Sequence, residues 1–264
     1  MKKNYLIFSA LIATCILFSG CKKKHDTTPA PIPCTTLVSQ EDIVVTGGSF
    51  PGTSKNVYKY NANKKLVKIE YTYSPGTTYG SFDTIIYNGS NQITNVKSYN
   101  VGNPTPTYTS IYYSTGSRID SVNQVGNNGS PYNSTTIFTY TLGLPSAQSV
   151  RYDVGASNGG PQNISSIVFT NGNVTSANLG VSFGGAATIT NETTAPNPYL
   201  GLNNKVDILL MFDANNATSV YSNAAPGSPL FTKAYTYLNG KVNTITDNDG
   251  NGGTRVNTIT YTCL

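Results

Sequence analysis

The chain has 264 residues, of which 38% are hydrophobic and only 11% charged, and its formal charge is +5. That charge sits at the N-terminal end: from Thr35 onward 12 Lys and Arg stand against 11 Asp and Glu, so the bulk of the chain is nearly neutral and nucleic acid is excluded as a partner. The one histidine, His25, lies outside that bulk, which excludes Ser-His-Asp and Cys-His catalysis and His-ligated zinc within residues 35–264.

In chain order, Lys2 and Lys3 precede an apolar run from Tyr5 to Phe18, then Ser19 and Gly20 lead to Cys21, the layout of a secretory signal over residues 1–20. The run is too short for a spanning helix. FSGC resembles the lipobox of bacterial lipoproteins, which implies cleavage after Gly20 and a lipid anchor on Cys21 in the outer membrane of a cell envelope. Residues 21–34, CKKKHDTTPAPIPC, are charged and then Pro/Thr-rich and read as an extended tether. Lys22 to Lys24 would lie beside anionic headgroups. Asp26 is the one acidic residue of the tether, and the sequence does not choose between the two faces of that membrane.

With Cys15 in the signal and Cys21 lipidated, Cys34 and Cys263 remain at the two ends of residues 35–264. In an oxidising compartment they pair as a disulfide or stay as two thiols. Pairing predicts a bond between the ends, worth about 4–5 kcal/mol in the chain-entropy model.

From Thr35 to Leu264 the sequence predicts one repeat-built, all-β domain. Tyr60, Tyr87, Tyr113, Tyr140, Phe169, Phe212, Tyr237 and Tyr261 each follow, by two residues, an apolar partner: Tyr58, Ile85, Ile111, Phe138, Ile167, Leu210, Tyr235 and Ile259. Spacing of two puts both side chains on one face of a strand. Turn segments follow, NANKK, NGSNQ, STGSR, TNGN, DANN and LNGK. Beyond them come apolar residues three apart, as in Leu66/Ile69, Ile93/Val96, Ile119/Val122, Val174/Ala177 and Val242/Ile245. Each unit is therefore strand, turn, strand. The long interval between Phe169 and Phe212 hides one degenerate hairpin. Hairpins in series predict an antiparallel meander of about 14–17 strands, closed or strongly curled into a barrel, with a β-sandwich as the alternative.

Tyr58, Tyr60, Asn61, Leu66 and Ile69 of YKYNANKKLVKI resemble the YD repeat, Tyr-x-Tyr-Asp/Asn followed by a turn and two apolar positions. Residues 35–264 as a whole resemble lipoproteins of Gram-negative bacteria whose domain of unknown function is porin-like. That resemblance implies a many-stranded barrel and assigns no activity. Lys59, Lys68, Glu70, Thr139, Thr236 and Thr260 fall on the alternate strand face, which predicts a water-facing wall rather than one facing lipid. Leu209 and Met211 make the stretch Ile208–Phe212 apolar on both faces.

Carboxylates are scattered without a catalytic motif, so a non-enzymatic role is expected, and no cofactor beyond a calcium ion suggests itself. Asp247, Asp249 and Asn251 in DNDGNGG alternate as hard calcium ligands do, with Thr258 where a calcium loop would close on an acidic residue; a plain hairpin loop has the same composition. Among tyrosines outside the repeat position, Tyr71, Tyr73 and Tyr79, and Tyr108, Tyr112 and Tyr132, offer ring area with a polar rim; Tyr73 and Tyr112 are the ligand-binding candidates. The expected function is a binding or interaction module for a glycan, peptide or protein. The alternative is a structural accessory or carrier of an apolar ligand.

Overall fold

A computed structural model describes residues 36–48, 51–73, 80–127, 133–154, 162–171, 173–179, 185–198, 215–222, 229–248 and 253–264. Contacts divide the chain into Met1–Cys34 and Thr35–Leu264, and all described residues belong to the second unit. Its first eight strands are β1 (Thr36–Thr46), β2 (Gly52–Tyr60), β3 (Leu66–Tyr73), β4 (Gly80–Tyr87), β5 (Ile93–Asn100), β6 (Tyr108–Thr115), β7 (Arg118–Gly126) and β8 (Asn133–Thr141). The second eight are β9 (Leu144–Val154), β10 (Gln162–Thr170), β11 (Asn173–Asn178), β12 (Ala186–Pro196), β13 (Asn215–Ser222), β14 (Pro229–Leu238), β15 (Lys241–Asn248) and β16 (Thr254–Cys263). Each pairs antiparallel with its sequence neighbour, and β1 pairs with β16 from Thr36↔Cys263 to Thr46↔Thr254, so the sixteen strands close into a barrel. Closure leaves no unpaired edge in the sheet.

The two ends differ. At one end most even strands turn into the following odd strand within two to five residues; at the other the connections are longer. The short turns repeat their chemistry. Asn61 Oδ1 accepts from the Asn63 and Lys65 amides at 3.0 Å, and Asn88 Oδ1 accepts from Ser90 and Gln92 at 3.0 and 2.9 Å. Lys64 and Asn91, three residues on, take the left-handed backbone at φ 61°. Asn239-Gly240 closes β14 to β15 with both φ positive, as a two-residue hairpin requires. Leu142-Gly143 does the same between β8 and β9 with Leu142 99% exposed, a turn hidden from sequence because leucine carries no turn signal.

Beside these turns the register shifts. Lys59 pairs with Lys68 but Tyr60 with Leu66, and the same step recurs at Tyr87/Ile93, Ser114/Ile119, Tyr140/Pro145, Phe169/Val174 and Tyr237/Val242. One residue of the odd strand, such as Val67 or Thr94, is bulged out at each step. The bulge lets residues three apart share a face, which is why Leu66 and Ile69, or Val242 and Ile245, are buried together.

No second layer covers the sheet among the described residues, so side chains shielded from water are shielded by the barrel interior. They form one cluster that includes Val38, Tyr58, Leu66, Ile69, Ile85, Tyr112, Phe138, Ile245 and Ile259, with Val174, Ala187 and Ile189 making a second. β12 also touches β15 although two strands separate them, so the barrel is pinched rather than round. The outer wall carries Lys59 and Lys68 beside Glu70, at 3.8 and 2.8 Å. Lys68 also lies 4.3 Å over the Phe82 ring, which stacks on Tyr99. Such exposed pairs contribute about 0–1 kcal/mol and serve mainly to keep the wall wet. Among the described residues no helix is long and apolar enough to cross a membrane.

One predicted phase is corrected. Ile111 and Tyr113 are expected to face inward, yet Tyr112 is 6% exposed and Tyr113 49%. The bulge in this hairpin lies at Asp120, opposite the step from Tyr113 to Ser114, so the repeat position is Ser114 and Tyr112 is the counterpart of Tyr58, Ile85 and Phe138. A one-residue slip exchanges the two faces of a strand. Of the degenerate hairpin expected between Phe169 and Phe212 only β12 is seen: its partner β13 starts at Asn215, beyond Phe212 and inside the DANN segment read as a turn, and Ile208–Phe212 lies outside the described residues.

Candidate functional site

At the end with long connections the interior turns polar. Glu41 of β1 is 4% exposed, and its Oε2 accepts from Asn56 Nδ2 at 2.9 Å and from the Tyr58 hydroxyl at 3.1 Å. Burying polar oxygens is costly unless donors such as these satisfy them. Burial and the adjacent Glu41 push the Tyr58 phenol far above its ordinary value. On β3 and β4, the Tyr71 hydroxyl donates to Asp83 Oδ2 at 2.8 Å, and burial followed by the Asp83 charge raises its pKa strongly. Tyr71 and Asp83 are diagonal neighbours, because Tyr71 stands opposite Ser81.

Beyond Tyr71 on the same face, Tyr73 ends β3 with 51% of its surface exposed. Tyr71, Tyr73, Asp83, Ser98, Asn100 and Tyr108 are among the residues lining a cleft of about 240 Å³. Its edge is fixed by Gly80, whose amide oxygen accepts from Val101 at 2.8 Å. A Cβ at Gly80 would come within 3.0 Å of the Val101 side chain and 3.3 Å of the Tyr71 carbonyl, so a larger residue there would have to push these chains apart by a few tenths of an ångström. An exposed ring beside hydroxyls, amides and a carboxylate can stack on an apolar face while exchanging hydrogen bonds at its rim.

The other predicted residues distribute as follows. Tyr112 is not a surface binder: it packs in the core, and burial, with the Asp83 charge second, raises its pKa well above that of a free phenol. Asp247 belongs to β15 rather than to a loop, and Lys233 Nζ of β14 lies 2.9 Å from its Oδ1 and 3.2 Å from its Oδ2. Asp249 and Asn251 lie outside the described residues, as do Tyr79, Tyr132, Cys21 and Cys34. No group of three or more His, Cys, Asp or Glu side chains suited to a metal occurs among the described residues. The lysine on Asp247 competes with any cation for that carboxylate. Cys263 ends β16, is disulfide-bonded, and stands opposite Thr36, two residues from Cys34.

Sequence reasoning named Tyr71 and Tyr108 but missed their meeting with Asp83 and Ser98. The signal lay in strand parity, since inward residues of paired strands must adjoin. The β3–β4 register that aligns them depends on a connection, residues 74–79, whose length gives no turn type.

No protein-family model and no curated protein matches the chain. Among solved structures, a porin-like protein from Bacteroides uniformis is similar over 88% of this chain and 99% of its own, at 14% identity and a TM-score of 0.55. At that identity the likeness is one of fold: a porin-like, all-β antiparallel meander.

Proposed function

We propose that the protein is a lipid-anchored module of the cell envelope that binds a glycan, peptide or protein without catalysis, through the tyrosine-lined mouth of its barrel. The half-exposed Tyr73 ring, standing over the cleft with Tyr71, Asp83 and Tyr108, carries this reading. Membrane attachment through Cys21 rests on the signal and tether of residues 1–34 and on the charged outer wall, which suits water. β1 starts at Thr36 at the short-turn end of the barrel, opposite the mouth. A Cys34–Cys263 bond is supported by the disulfide state of Cys263 and its register with Thr36, and would tie the seam between β1 and β16. The carrier alternative asks for an open apolar lumen, whereas Ile69, Ile85, Val122 and Ile259 pack on one another in that space.

The test is a glycan-array and envelope-lysate pull-down with the mature chain, with and without calcium. A defined ligand retained by wild type and lost at least tenfold in Tyr73→Ala, at unchanged thermal midpoint, supports the reading. Equal retention by Tyr73→Ala overturns the mouth as the site. Calcium dependence would return Asp247, Asp249 and Asn251 to consideration.

A further inference from the structure

The short-turn end is closed by tyrosines that act alike. Tyr60, Tyr87, Tyr140 and Tyr261 donate their hydroxyls to the carbonyls of Val38, Leu66, Ile119 and Val242, each on the preceding odd strand, at 2.6, 2.8, 2.7 and 2.8 Å. Two rings are further covered by a cation from the residue before the acceptor: Arg118 lies 4.8 Å over Tyr140 and Lys241 5.5 Å over Tyr261. Each tyrosine thus fills a fixed slot with an apolar floor and a carbonyl at its far end, and two of the four slots have a cationic lid.

On β6 the slot's tyrosine is missing. Ser114 takes the position across the bulge, opposite Ile119, that Tyr60 and Tyr87 take opposite Leu66 and Ile93. It follows Ile93 by 21 residues, the separation of both the Tyr87–Leu66 and the Tyr140–Ile119 bonds. A serine side chain ends one atom beyond Cβ, so it cannot fill a slot shaped for a phenol. A cleft of about 490 Å³ lies where that ring would be, and its lining includes Ile93, Ile119, Tyr140, Gln92, Lys65 and Arg118. The space exceeds what one ring needs, since an apolar cavity of about 150 Å³ already accepts benzene.

We infer that this notch is a binding site for a phenolic ring, which enters beside Ser114, packs on Ile93 and Ile119, and donates its hydroxyl toward the Ile93 main chain. The chemistry is defined by the barrel's own repeat, because four equivalent slots hold that group. The ring comes either from a free small phenol or from a tyrosyl side chain of a peptide. The site lies at the end opposite the Tyr73 mouth and does not depend on it.

The experiment titrates the full chain with 4-hydroxybenzyl alcohol and with the peptide Gly-Tyr-Gly, following the methyl resonances of Ile93 and Ile119. Benzyl alcohol and Gly-Phe-Gly serve as controls that lack the phenolic hydroxyl. Saturable shifts with either phenol, about tenfold weaker with its control and abolished in Ser114→Tyr, are the expected result. Preference for the peptide identifies a tyrosyl source, and preference for the alcohol a free phenol; both support the site. Ser114→Tyr also raises the thermal midpoint by filling the notch. Absence of shifts with both phenols in wild type overturns the proposal, as do equal shifts in Ser114→Tyr. Should that variant fail to fold, Ser114→Phe fills the same space, and undiminished phenol binding there is equally fatal.

Discussion

The two ends of this barrel use tyrosine in opposite ways. At the short-turn end Tyr60, Tyr87, Tyr140 and Tyr261 are packed against the core with hydroxyls committed to carbonyls, so the residue is a structural latch. At the far end Tyr73 offers half its surface to water beside Asp83 and Ser98, so the same residue is available to a ligand. The difference teaches that residue type carries no function until its neighbours are known: a tyrosine becomes a latch where a bulge sets an acceptor in reach.

The largest expected effect on the latches comes from alkaline pH. Burial pushes the Tyr60 and Tyr261 phenols up to about 12 and raises Tyr87 and Tyr140 above the ordinary phenol. In the unfolded chain tyrosine titrates near ~10. Because the folded values are the higher ones, the latches contribute fully below about pH 10, and stability falls between about 10 and 12 as the unfolded state ionises first. Denaturant midpoints measured against pH should fall in that window while phenolate absorbance rises; ionisation of the latch tyrosines near pH ~10 with the fold intact would show that they are not held by burial. Next in size is truncation of the core. Ile69→Ala, at a position 2% exposed, should lower stability by about 2–5 kcal/mol in urea unfolding. Tyr73→Ala, on the same strand, should stay within about 0.5 kcal/mol. The finest test removes one latch hydroxyl: Tyr87→Phe leaves the Leu66 carbonyl without that donor and should cost about 1 kcal/mol by the same assay.

Much of this architecture could be read from residues before any coordinates. Alternating aromatics, Asn-rich turns and apolar pairs announced hairpins in series, and their number pointed to 14–17 strands where sixteen occur among the described residues. The phase at Tyr112 escaped because Ile111, Tyr112 and Tyr113 all suit a strand interior, so local pattern could not choose between faces. The bulge at Asp120 chose. Asp83 looked like one scattered carboxylate until register set it under Tyr71.

By itself, then, the sequence determined the strand-turn-strand repeat, the nearly neutral all-β domain and the face assigned to most side chains, because these follow from composition and from spacing within a single hairpin. Only the tertiary structure decided closure between β1 and β16, the separate polar partners of Glu41, Asp83 and Asp247, and the open slot beside Ser114. Those depend on register between strands that may be 200 residues apart, as with the Ser39 hydroxyl on the Thr260 carbonyl 221 residues away. Local periodicity carries no information about such a pairing; the closed ladder of hydrogen bonds supplies it.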